Sequence, residues 1–193
     1  QHLSNLELFS LPTLAAHAVH LEEADFKLLS ENGVSVSHNP GSNLKLANGF
    51  APVEKMLKHS INVALGTDGA ASNNNLNLFE EIHLAGLMQK VVNNSATALP
   101  AKTVIRMATI NGAKALKLDE EVGSLETGKK ADLIMLDIRQ PHLVPCHDPH
   151  ALLVYSAQAS DVTTVMVDGN ILMEDRQLPV SYTHLRAHET LGN

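Results

Sequence analysis

The chain has 193 residues, 44% apolar and 18% charged, enough for one domain with its own core. Its net charge of -7 and 3% aromatic content argue against nucleic acid or an anionic membrane as partner, since both demand a basic face. The single cysteine, Cys146, excludes an internal disulfide and the paired thiolates of the cytidine-deaminase type of zinc site, and neither a membrane-length apolar run nor a signal peptide is read in a chain that begins at Gln1.

In chain order, Thr13 to Val19 (TLAAHAV) reads as a buried strand, and Glu22 to Glu31 as a helix stopped by Asn32-Gly33. Val34 to Ser37 is β-branched and alternating, a strand halted by Asn39-Pro40. Val53 to His59 is a short helix behind Pro52, and Ile61 to Thr67 (INVALGT) a third buried strand. Leu76 to Val92 places Leu78, Ile82, Ala85, Leu87 and Met88 at helical spacing, and Pro100 to Thr109 and Gly112 to Leu116 read as two more helices. Strands alternating with helices predict a parallel α/β sheet. Three such units do not close a barrel, which takes eight.

Near Gly123 the texture changes. Leu133 to Leu136, Leu152 to Tyr155, Val162 to Val167 and Asn170 to Met173 read as short strands, with Asp168-Gly169 as a hairpin turn. Residues 1–122 are thus expected to form an α/β part and 123–178 a small β module. Residues 179–193 (PVSYTHLRAHETLGN) fit neither pattern and read as a non-native tail from a broken reading frame, so His188 and Glu189 are set aside.

Eleven histidines in 193 residues stand out. In parallel α/β barrels, chemistry gathers at the C-terminal ends of strands. Here the three strands end in His17, His38 and Asp68, and three ionisable groups on consecutive strand ends would converge on one rim. Asp68, before a glycine- and asparagine-rich loop, is either a turn cap or a carboxylate able to bind metal and accept a proton. Strand alternation would turn His17 to the rim and His20 away. His38 either touches substrate or braces the loop at Asn39-Pro40. Ser42, Asn43 and Lys45 on the expected loop, and Ser72 after Asp68, are neutral or cationic donors; among these Asn43 and Ser72 join His38 as candidate substrate-binding residues.

The segments AAHAVHL, HNPGSNLKLANG, LGTDGAASNNNLNLFEE and GSLETGKKADLIMLD together resemble the amidohydrolase superfamily. SNLKLANG and TDGAASNNN are most similar to its methylthioadenosine/S-adenosylhomocysteine deaminase branch. Guanine deaminases and triazine hydrolases share the scaffold and stay open as alternatives, as does a non-catalytic scaffold. The resemblance implies a distorted eight-stranded barrel and a β-sandwich built from both chain ends, of which this chain would hold strands six to eight and the C-terminal share of the sandwich: a partial TIM-type barrel followed by part of a small β-sandwich. It implies that Asp68 is a zinc ligand and proton shuttle, with Fe2+ or another divalent ion as the variant. It implies that His17 holds the attacking water. The implied reaction replaces the 6-amino group of an adenosine-type nucleoside by oxygen, in a cytoplasmic enzyme expected to be a homo-oligomer at full length.

The chain departs from the family in lacking the His-x-His pair of strand one and the His-x-x-Glu of strand five. Asp68 alone cannot hold zinc, which takes three protein ligands plus water. The chain by itself is therefore expected to be inactive.

Overall fold

The computed structural model describes residues 2–178; the tail set aside above lies outside them. The elements run α1 (His2–Asn5), β1 (Leu14–Ala16), α2 (Glu23–Glu31), β2 (Ser35–His38), α3 (Pro40–Lys45), α4 (Val53–Lys58), β3 (Val63–Leu65), α5 (Ala70–Asn73), α6 (Leu78–Val92), α7 (Ala101–Ala108), α8 (Ile110–Ala115), β4 (Leu133–Leu136), α9 (Pro149–Tyr155), β5 (Val162–Val167) and β6 (Asn170–Met173).

The first three strands form one parallel sheet in the order β1-β2-β3, with Ala16 opposite Ser37 and His38 opposite Leu65. Helices cross between them, as parallel connections require. α2 starts where the Glu22 backbone N–H donates to Asp25 Oδ2 at 2.9 Å and ends before Gly33, whose φ of +60° suits a glycine terminator. Val36 and Val63 of the sheet are fully buried against Phe26 of α2, Met56 of α4, Ile82 of α6 and Met107 of α7. This shared core fixes the strand ends relative to one another.

Residues 149–155 correct the sequence expectation. Leu152 to Tyr155, read as a strand, lies in α9. Asp148 accepts the His150 N–H at 2.9 Å and Pro149 occupies the first turn, a helix-start pair that outweighs the strand propensity of a short apolar run. Leu152 and Val154 are buried. α6 carries Gly86 at the crossing, where a Cβ would lie 2.7 Å from Val154 Cγ1.

The second sheet is antiparallel in the order β4-β5-β6. Asp168 and Gly169, with φ of +49° and +76°, join β5 to β6 in the left-handed conformation that two-residue hairpins favour. Among the described residues no helix is long and apolar enough to cross a membrane.

Candidate active site

His17 follows β1 directly, His38 closes β2, and Asp68 comes three residues after β3, so the parallel sheet delivers all three at the same end. The exit from β3 depends on Gly66: a Cβ there would sit 2.5 Å from Ser37 Oγ and 2.8 Å from Asn39 Oδ1 of the neighbouring strand's exit. Asp68 then takes a φ of +63°, a conformation that Asp tolerates better than most residues.

The Asp68 carboxylate is the hub. Its Oδ2 accepts from Ser42 Oγ at 2.7 Å and from Ser72 Oγ at 2.8 Å, while Oδ1 accepts from the Gly69 N–H at 2.8 Å. The Ser42 hydroxyl, then the Ser72 hydroxyl and the Gly69 amide, hold its pKa down at about 2. At neutral pH it is a carboxylate, and a reluctant base: it takes a proton only from a donor that is itself strongly acidified.

His17 is oriented from its other side. Its Nδ1 lies 2.8 Å from Asn43 Oδ1, and its Nε2 lies 3.6 Å from Asp68 Oδ2. An amide oxygen only accepts, so Nδ1 carries the proton, and in the neutral ring Nε2 presents its lone pair. Strand alternation, expected to turn His17 to the rim, does not set its direction. β1 ends at Ala16, and His17 and Ala18 have φ of +66° and +48°. A backbone twist, not strand alternation, aims His17, and His20 is exposed.

His38 is fully buried. Among the described residues neither ring nitrogen has a hydrogen-bond partner, and Asn43 Nδ2 lacks one as well. Burial, with the nearby His17 as the smaller cause, lowers the His38 pKa to about 4, so the ring is neutral at pH 7. Ser42 and Asn43 sit on α3, not on a loop, with Pro40 in its first turn. Lys45 on the same helix reaches the Ala71 carbonyl at 3.2 Å. Ser72, on α5, spends its hydroxyl on Asp68. Sequence reasoning missed Ser42 as a partner of Asp68; no local pattern announces a contact across 26 residues.

The donor set does not make a metal site by itself. Among the described residues no group of three or more His, Cys, Asp or Glu side chains is placed to hold an ion. The Asp68 oxygens already carry three donors, and zinc takes three protein ligands besides water. Two clefts of about 400 Å³ beside α9, one lined in part by His142, His147 and Tyr155 and the other by His83 and Tyr155, do not include Asp68, His17 or His38 in their walls.

The model of the amidohydrolase family matches residues 1–172. The chain belongs to the amidohydrolase family. It is 56% identical over 178 residues to a 5-methylthioadenosine/S-adenosylhomocysteine deaminase of Thermoanaerobacter pseudethanolicus, covering 92% of this chain and 41% of the relative. A 5'-deoxyadenosine deaminase of Methanosarcina mazei is 55% identical over the same shares. Among solved structures, an adenosine deaminase from Xanthomonas campestris with bound zinc superposes with a TM-score of 0.89 at 40% identity, over 98% of this chain and 44% of that one. This amidohydrolase chain therefore spans about two fifths of the length of the curated relatives it matches.

Proposed function

We propose that this segment belongs to a hydrolytic deaminase acting on methylthioadenosine, S-adenosylhomocysteine and similar 5'-modified adenosines. Water adds at C6 of the purine, ammonia leaves, and an inosine-type nucleoside remains. The observation that carries the reading is the convergence of His17 and Asp68 at one sheet end, each anchored by its own partners. The relatives' names support the substrate class.

In this reading residues 1–122 are barrel strands six to eight with their helices, and the antiparallel sheet β4-β5-β6 within residues 123–178 is the C-terminal share of a sandwich, while α9 from the same stretch packs into the barrel-side core. Exposed Ile134, Met135, Ile171 and Leu172 on the second sheet support a partner layer. The full-length protein would bind one divalent ion per subunit, zinc by preference, with Asp68 as one ligand and the others from outside this chain; bound there, the ion would acidify water. The protein would be a cytoplasmic homo-oligomer.

The steps that this chain's own residues perform are limited and specific. Asn43 fixes the His17 ring so that Nε2 faces the space beside Asp68 Oδ2. There Nε2 accepts a hydrogen bond from the attacking oxygen. Asp68, kept ionised by its hydroxyl donors, receives a proton once that oxygen becomes acidic enough, and returns it to the departing nitrogen. The His38 ring nitrogens and Asn43 Nδ2 are unpartnered among the described residues, but both side chains are fully buried, so of the three candidates Ser72, at the rim, is the one placed to meet substrate without rearrangement.

A chimera tests the reading. Residues 1–178 of this chain replace the matched part of the Thermoanaerobacter relative, and deamination of methylthioadenosine is followed by purine absorbance. Turnover is expected from the chimera and none from the 193-residue chain alone. A folded chimera without turnover would overturn the proposal.

A further inference from the structure

Glu81 on α6 is fully buried and has no part in the steps above. Its Oε2 accepts from the Gly41 N–H at 2.8 Å and its Oε1 from Asn73 Nδ2 at 2.7 Å. Gly41 precedes Ser42 in α3, and Asn73 follows Ser72 in α5. The two segments held by one carboxylate from behind are thus the two whose hydroxyls meet on Asp68 in front.

We propose that Glu81 is the positioning residue of the Asp68 centre: its buried carboxylate clamps Gly41 and Asn73 and so sets the Ser42 and Ser72 hydroxyls on Asp68 Oδ2. The catalytic meaning of this clamp rests on the deaminase reading; the clamp itself does not. Three observations support it. Asn73 Oδ1 accepts from the Leu76 N–H at 2.8 Å, which fixes the amide with its NH2 toward Glu81. A Cβ on Gly41 would lie 2.2 Å from Glu81 Oε1, so position 41 is shaped to the carboxylate. Lys45 already ties α3 to Ala71 and Asn74 on the exposed side, so tethering the helices needs no buried acid. A buried carboxyl is costly and persists only where its hydrogen bonds are specific; burial does raise the Glu81 pKa, against the pull of Gly41 and Asn73.

The test uses Glu81→Gln and Asn73→Ala, each in the 193-residue chain and in the chimera, with Val162→Ala, a buried change on β5 outside the core that carries the clamp, as control. Glutamine offers one acceptor oxygen where the acid offers two, so one donor loses its partner. Crystal structures of the chain variants are expected to show the Ser72 hydroxyl withdrawn from Asp68. In the chimera kcat should fall roughly tenfold to a hundredfold, the usual cost of a small displacement, with KM little changed. Val162→Ala should lower the melting temperature without altering kcat. If Glu81→Gln fails to fold, Asn73→Ala carries the test. Both hydroxyls remaining on Asp68, or kcat retained in both variants, would overturn the clamp. An unsubstituted chimera that folds but is inactive overturns the deaminase reading instead, and the crystal structures then decide Glu81 alone.

Discussion

His17 Nε2 stands 3.6 Å from Asp68 Oδ2, and because Nδ1 is committed to Asn43 the two groups face each other as acceptors whenever the ring is neutral. Such a pair is stabilised by a donor placed between them. In the proposed reaction that donor is the attacking oxygen. His17→Ala in the chimera should therefore cut turnover by about a hundredfold or more while zinc content stays at the unsubstituted level. Loss of zinc together with turnover would make His17 a ligand and sink this role. His20→Ala should leave turnover unchanged, since His20 is exposed beyond the backbone twist.

Asp68→Ala should abolish turnover in the chimera and lower its zinc content, since it removes both the carboxylate and a proposed ligand. The 193-residue chain should bind zinc far more weakly than the chimera in metal analysis after dialysis, because its described residues do not assemble a ligand set. Tight stoichiometric zinc on the isolated chain would contradict the placement of the other ligands outside it. In the isolated chain Asp68 also shapes the acid limb of stability. Its pKa falls from 3.8 to about 2 on folding. Its contribution is therefore present above the unfolded value and lost as pH drops through the folded one. Asp68→Asn should flatten denaturant midpoints measured across that window.

His38 gives a second pH signature. Folding lowers its pKa from 6.5 to about 4, so between these values the unfolded chain binds more protons. Stability rises with pH through the window, is complete above the unfolded value and is lost as pH falls toward the folded one. At about 1.4 kcal/mol per tenfold, the swing is roughly 3 kcal/mol. Urea unfolding of the chain at a series of pH values should show this slope, and His38→Leu should remove most of it. An NMR titration that puts His38 near the ordinary histidine range would refute the buried neutral ring.

Much of this was legible in the sequence because buried parallel strands announce themselves as continuous apolar runs, and the polar residue that ends each run marks the sheet edge. That logic reached His17, His38 and Asp68. It did not reach α3 and α5, four to six residues each, too short for a period to register. Nor did it reach Ser42 as a partner of Asp68, or Glu81 as a buried acid, since both facts arise only when distant segments meet. α9 is not legible as a helix from periodicity, which cannot separate a short buried helix from a buried strand; the decisive signal, Asp148-Pro149, lies just upstream.

The α6–α9 crossing offers a test of the packing that supports the sheet. At Gly86 an added Cβ would fall 2.7 Å from Val154 Cγ1 and 3.3 Å from Tyr155 Cε1. Val154 is buried in the core and its β-branched side chain is stiff at χ1, so Gly86→Ala should push α9 outward. The cost expected for such overpacking is about 1–3 kcal/mol, set against the gain of up to about 1 kcal/mol that alanine brings to a helix interior. Val154→Ala alone should also destabilise, through lost contacts. Combined, the two changes should cost clearly less than the sum of the single effects, because each relieves the defect made by the other. The measurement is a double-mutant cycle in urea on the 193-residue chain. Strict additivity would mean that α9 does not pack on α6 at Gly86 as the geometry requires.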